Sequence, residues 1–193
     1  MSAAAASDTA EPGWAGEVLR FWFEELGEGD WFAKDHHLDE RIRARFLPLY
    51  EELVARDACA AREVGTPRAL LAAVIVLDQF PRNMFRDSPR AYAADPIARR
   101  LARTAVEQGL DRSMTDQERN FLYLPFEHSE DRADQALSVE LIRRLGNEEW
   151  TRYAVAHQEM IDRFGRFPHR NAILGRESTP AELARLNEPM GKF

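Results

Sequence analysis

Residues 66–83 read TPRALLAAVIVLDQFPRN, and the fold turns on them. Thr66 is a helix-capping residue, and Pro67 suits the first helical position, where its missing N–H costs nothing. Leu70, Leu71, Val74, Ile75, Val76 and Leu77 then cover most of a helical circumference. A helix from Pro67 to Phe80 with so little polar surface has to lie inside the molecule, wrapped by other elements. Asp78 follows Val74 by four residues and Leu71 by seven, so it shares their face. A carboxylate there is stripped of water and stands at a helix C-terminus, where the dipole disfavours it. Arg82, Arg170 or Arg176 is the expected partner. Such a pair serves either as a structural tie or as part of a site.

Outward from this helix the periodicity stays helical. Trp14 to Leu26 carries Val18, Phe21 and Trp22 on one stripe and stops at Gly27. Asp35 can cap a second helix with Ile42, Phe46, Leu49 and Leu53 facing inward, which Pro48 must kink or split. Asp95-Pro96 repeats the device of Thr66-Pro67, and Thr115 with Glu118 forms a capping box. Ser129 can cap a helix ending near Gly146, and a further helix runs from about Glu148 to Phe164 before Gly165. Thr179-Pro180-Ala181-Glu182 opens a last short one. Phe80-Pro81 and Phe167-Pro168 read as two helix ends of similar wording. Eight or nine helices with short connections and no alternating strand pattern make an all-α fold without a sheet.

Composition narrows the function classes. The 193 residues are 45% hydrophobic and 31% charged, enough for one core, with a net charge of −7 that disfavours nucleic acid and membrane surfaces as partners. Residues 1–12, rich in Ala, Ser and Thr, read as a disordered leader, and residues 13–193 as one helical domain. No stretch is long enough to span a bilayer, and Cys59 alone excludes a disulfide framework, so a cytoplasmic location follows. Cys59 reads as a core residue, with a reactive thiol as the alternative.

Polar residues that interrupt apolar stripes mark where chemistry could sit. His157 lies on the stripe of Tyr153, Ala154, Ile161 and Phe164 and points at the core, as a hydrogen-bonded core residue or as part of a site. Glu127 and His128 precede the expected Ser129 cap and are free to face a cleft. Residues 163–176, RFGRFPHRNAILGR, hold four arginines and no acid, punctuated by Gly165, Pro168 and Gly175. Such a loop suits planar recognition of carboxylate or phosphate, or else latches onto acidic helices. No dinucleotide fingerprint, phosphate-binding loop, HExxH or GxSxG is present. Glu127, His128, Glu130, His157 and His169 match no metal-ligand spacing, so no metal or cofactor is expected.

Three of these segments are distinctive in wording: LDQFPRNMFR (77–86), ERNFLYLPFEHSED (118–131), and FGRFPHRNAILGR (164–176) with the STPAE that follows it. Together with VLRFWF (18–23) and WFAKD (31–35), they resemble the uncharacterised bacterial family catalogued as domain of unknown function 924. The resemblance implies a tetratricopeptide-like array of antiparallel helix pairs and brings no activity or catalytic residue with it. The same motifs hold the unusual polar residues. Asp78, Gln79, Arg82, Asn83, Glu127, His128, His157, His169, Arg170, Asn171 and Arg176 are therefore expected to converge on one pocket on the concave side. The leading expectation is a binding module for a small anion or a peptide carboxylate. The alternatives are an enzyme with His128, His169 or Glu127 in acid–base roles, and an ion-pair lattice serving a protein partner. Oligomeric state is not legible.

Overall fold

Thr66 accepts a hydrogen bond from the Ala69 amide at 3.1 Å, Pro67 takes the first turn, and the helix they launch is buried from Ala69 to Pro81. The computed structural model describes residues 11–31, 33–56 and 66–191. Cys59 and most of the expected leader lie outside that set. Among the described residues there are nine helices and no strand. They are α1 (residues 13–25), α2 (Glu28–Trp31), α3 (His36–Arg56), α4 (residues 67–84), α5 (Asp95–Glu107), α6 (Asp116–Glu127), α7 (Arg132–Arg143), α8 (Glu148–Phe164) and α9 (Pro180–Arg185). Short 3-10 turns at Pro89–Tyr92, Leu110–Ser113 and Pro168–Arg170 join them.

The central helix does not end at Phe80. α4 is α-helical over Pro67–Val74, widens into a π turn at Ile75–Gln79, and resumes over Phe80–Met84. Pro81 explains the widening. Inside a helix it would lack a donor and press on the carbonyl four residues back, and an extra residue in the preceding turn relieves that crowding. Phe80-Pro81 is thus interior to a helix, and Phe167-Pro168 opens a 3-10 turn after α8 has already finished. α1 widens in the same way at Phe21–Glu25. Pro48 lies within α3, which runs unbroken through it.

Two expected caps are used otherwise. Asp95 caps nothing; Ala94 precedes α5 and the Asp95 carboxylate is committed to Arg82. At α7 the cap is Asp131, which accepts from the Ala133 and Asp134 amides, while the Ser129 hydroxyl accepts from Asp131 N–H and donates to Asp134. Asp35 caps α3, and the capping boxes at Thr115/Glu118 and Thr179/Glu182 form as the sequence indicates.

α4 packs against α1, α3, α5 and α6, and the chain continues from α6 to α7 to α8. Phe80 has no exposed surface and meets three rings: Phe46 at 4.7 Å, Trp22 at 5.5 Å and Phe21 at 6.1 Å between centroids. A smaller cluster of Met160, Ile161 and Phe167 fastens the end of α8 to the loop beyond it. Removing a core aromatic loses its transfer energy and leaves a cavity. Phe80→Ala should therefore lower unfolding free energy by about 3–5 kcal/mol in urea denaturation. A loss below about 1 kcal/mol would mean that these rings repack freely around the gap.

Candidate functional site

The π turn of α4 presents Asp78 and Gln79 to the C-terminal end of α6. There His128 caps the helix, and its ring nitrogen Nδ1 lies 2.9 Å from both carboxylate oxygens of Asp78. A carboxylate can only accept, so Nδ1 carries the proton and the lone pair rests on Nε2. Gln79 Nε2 donates to Asp78 at 2.5 Å. Arg82, one turn on, donates to the Asp78 backbone oxygen and places its guanidinium 3.5 Å from the carboxylate. It then grips Asp95 with two bonds of 3.0 Å. Burial pushes Asp78 up, but Arg82, His128 and Gln79 together outweigh it and hold the carboxyl at about 2. Asp78 is accordingly buried and paired with an arginine as its position in the sequence requires.

Gly165, at φ +70°, ends α8 and turns the chain so that the Pro168–Arg170 turn returns to this cluster. The Arg170 guanidinium donates to the His128 backbone oxygen at 3.0 Å and lies between the rings of Tyr92 (4.6 Å) and Phe167 (4.5 Å). Its nearest carboxylate, Asp95, stands 3.7 Å away and is already doubly bonded to Arg82. Arg170 Nε is buried with no hydrogen-bond partner among the described residues. Burial, reinforced by the charge of Arg82, pulls its pKa down to about 10. His169 is lowered to about 3 by burial and by Arg170, His128 and Arg82.

A second pair adjoins the first. His157 donates Nδ1–H to the Tyr153 backbone oxygen at 2.9 Å, with Glu127 Oε1 3.1 Å from the same nitrogen. The His157 and His128 rings are 6.2 Å apart. Burial lowers His128 and His157, so both imidazoles are neutral at pH 7.

Asp78, Gln79, Arg82, Glu127, His128, His157, His169 and Arg170 thus gather in one place, but three expected members do not bond into it. Asn83 donates to Asp39, beside the two bonds of Arg86 to that carboxylate. Asn171 donates to Ser178. Arg176 grips Glu130, which also accepts from the Phe167 amide, and Arg166 grips Glu182. The lack of local acid around residues 163–176 is made good by distant carboxylates. Asp95 and Tyr92 belong to the cluster without having been singled out. Asp95-Pro96 looks like a capping device, and nothing local marks Tyr92 as a ring for Arg170. The cluster is packed rather than hollow. His128, Arg82 and Asp95 are its partly exposed members, with side chains 14%, 22% and 16% exposed. An open groove of about 550 Å³ lies elsewhere, lined by Arg143, Asn147, Thr151, Val155 and Met190 among others. Among the described residues no group of three or more His, Cys, Asp or Glu is arranged to hold a metal ion, and no helix is long and apolar enough to cross a membrane.

Residues 18–190 match the family described as bacterial protein of unknown function, DUF924. The chain belongs to that family. Among solved structures it is similar to the protein of unknown function ATU0120 from Agrobacterium tumefaciens, at 39% identity and a TM-score of 0.81, over 91% of this chain and 97% of that one. No curated protein matches. The DUF924 motifs quoted above supply nearly every member of the cluster: Asp78, Gln79 and Arg82 from the first, Glu127 and His128 from the second, His169 and Arg170 from the third.

Within this DUF924 chain Glu127 carries the clearest pH signature. Burial, with Asp78 nearby, raises its carboxyl from an ordinary 4.5 to about 8. Unfolded chains ionise Glu127 near 4.5 while the folded protein keeps the proton until about 8, so stability present below 4.5 is lost as pH rises between those values. Glu127→Gln cannot ionise and keeps an acceptor for His157. It should match the wild type in urea denaturation at pH 5 and exceed it at pH 8, by on the order of 3 kcal/mol. A difference that does not grow with pH would show that Glu127 is already ionised in the native state.

Proposed function

We propose that this protein binds a small anion, a phosphate or carboxylate group, at the mouth of the cluster on Arg170. One observation carries this: a buried guanidinium whose Nε lacks an acceptor among the described residues and whose nearest carboxylate there is held by another arginine. A buried charge is costly unless it is paired and hydrogen-bonded. The depressed pKa of Arg170 says the same, because the surroundings disfavour its cation and an incoming anion would reverse that. The small exposed fractions of His128, Arg82 and Asp95 suit a group of a few atoms better than a large ligand. In this proposal the mouth lies on the concave side of a tetratricopeptide-like array, supported by the succession of packing neighbours from α4 to α8. The compartment we propose is the cytoplasm, on the strength of one cysteine in 193 residues.

Arg170→Met tests the proposal. Arg170 is nearly buried between two rings, so truncation to Ala would also remove packing, whereas Met keeps most of the stem. Phosphate or citrate at about a hundred times its dissociation constant stabilises by about 2.7 kcal/mol, which for a chain of this size raises Tm by roughly 5–10 °C. We expect that rise in the wild type and in Arg170→Lys, and not in Arg170→Met. Equal melting curves for all three, with and without anion, would leave the cluster as an ion-pair lattice.

A further inference from the structure

The anion site accounts for Arg170 but leaves the Asp78–His128 pair unused. That pair has a particular form. The carboxylate has no exposed surface and faces the imidazole with both oxygens, so the ring is held in one tautomer and one orientation. Nε2 makes no hydrogen bond among the described residues, and His128 keeps some of its side chain open to solvent while Asp78 keeps none. The residue that fixes the ring is hidden and the ring itself is not. A purely structural pair has no need of that asymmetry.

We propose that Asp78 and His128 form a general-base dyad that hydrolyses a phosphodiester held by Arg170. The assignment rests on the anion site proposed above. Among the described residues no Ser, Thr, Cys or Lys side chain hydrogen-bonds to His128, so the nucleophile in this proposal is water. Charge balance selects the diester. The cationic groups Arg82, Arg170 and Arg176 face the carboxylates of Asp78, Asp95 and Glu130, while the three histidines are neutral and Glu127 is protonated. Such a site holds a singly charged diester, the monoanion of phosphate or one carboxylate of citrate with less uncompensated charge than a dianionic monoester. His128 Nε2 takes a proton from water as the water oxygen bonds to phosphorus. The second charge that builds on the phosphoryl oxygens is met by Arg170 and by the new imidazolium, which Asp78 stabilises. The bond from phosphorus to the leaving oxygen then breaks, and His128 returns the proton to that oxygen. The products are a phosphomonoester and an alcohol, and the imidazole is neutral again. Asp78 acts through His128 and is a positioning residue.

The test uses the full-length protein with bis(p-nitrophenyl) phosphate, p-nitrophenyl phosphate and p-nitrophenyl acetate, reading nitrophenolate release. We expect turnover of the diester in preference to the other two, and a fall in kcat of ~100-fold or more in His128→Gln with KM little changed. His128→Gln should still show the phosphate-induced rise in Tm, which reports that it folds and binds. In Asp78→Asn, kcat should fall, and the acidic limb of the kcat/KM profile should move to lower pH, because the carboxylate that favours the imidazolium is gone. If Asp78→Asn does not fold, His128→Gln carries the test alone. A wild type stabilised by phosphate but inert to the diester overturns the dyad and leaves the anion site standing. Diester turnover undiminished in His128→Gln also overturns it. A wild type indifferent to phosphate and inert to the diester removes both.

Discussion

An ionised carboxylate with no exposed surface lies in the π turn within α4, the helix buried from Ala69 to Pro81, and much of the polar architecture answers to it. Leaving such a charge unpaired costs several kcal/mol, so its neighbours are constrained before any function is considered. Gln79 and His128 supply hydrogen bonds, and Arg82 supplies the compensating charge. Arg82 in turn takes Asp95 away from the start of α5, which then begins without a side-chain cap. Arg170 comes within reach of an acid that is already engaged and settles between two aromatic faces instead. Each step follows from the one before it, and the sequence of compromises ends on a guanidinium with an idle donor.

Asp78 and Glu127 show how neighbouring carboxyls acquire opposite characters from their surroundings. Asp78 is buried with a cation and two donors, Gln79 and His128, aimed at it and stays charged. Glu127 is buried beside that negative charge with a neutral imidazole as its company, and it keeps its proton to about 8. Two groups of one chemical type, pushed apart in acidity within a few residues of a histidine pair, are what acid–base chemistry requires. The same arrangement also serves an ordinary folding purpose, because a protonated Glu127 spares the core a second anion.

The helices were legible in the sequence wherever local chemistry decides the outcome. Thr66-Pro67, Asp35, Thr115 with Glu118, and Thr179 with Glu182 do locally what their residue types allow. Several misreadings come from a side chain taken up by a partner that the local pattern does not point to. Asp95 is drawn to Arg82 and Ser129 to Asp134. The arginines of the 163–176 loop find Glu182, 16 residues from Arg166, and Glu130, 46 residues from Arg176. Counting acids nearby in sequence says little about an arginine whose partner arrives through the fold. Asp78 was readable because burial itself demands a partner. Asn83 and Asn171 were not, because an amide beside a distinctive motif is equally at home bonding a neighbouring loop.

The widened turn before Pro81 has a geometric side as well. One residue beyond the regular count advances the helix by about 100°. Everything after Gln79 is therefore out of phase with everything before it. The N-terminal half of α4 shows its neighbours an unbroken apolar surface, and the C-terminal half can aim Arg82 at Asp95 without surrendering that surface. In a regular helix both halves would share one set of faces. The extra residue lets a single rod address two environments, and loss of any one residue from Ile75 to Gln79 would swing Arg82 away from its acid while leaving the composition of the helix almost untouched.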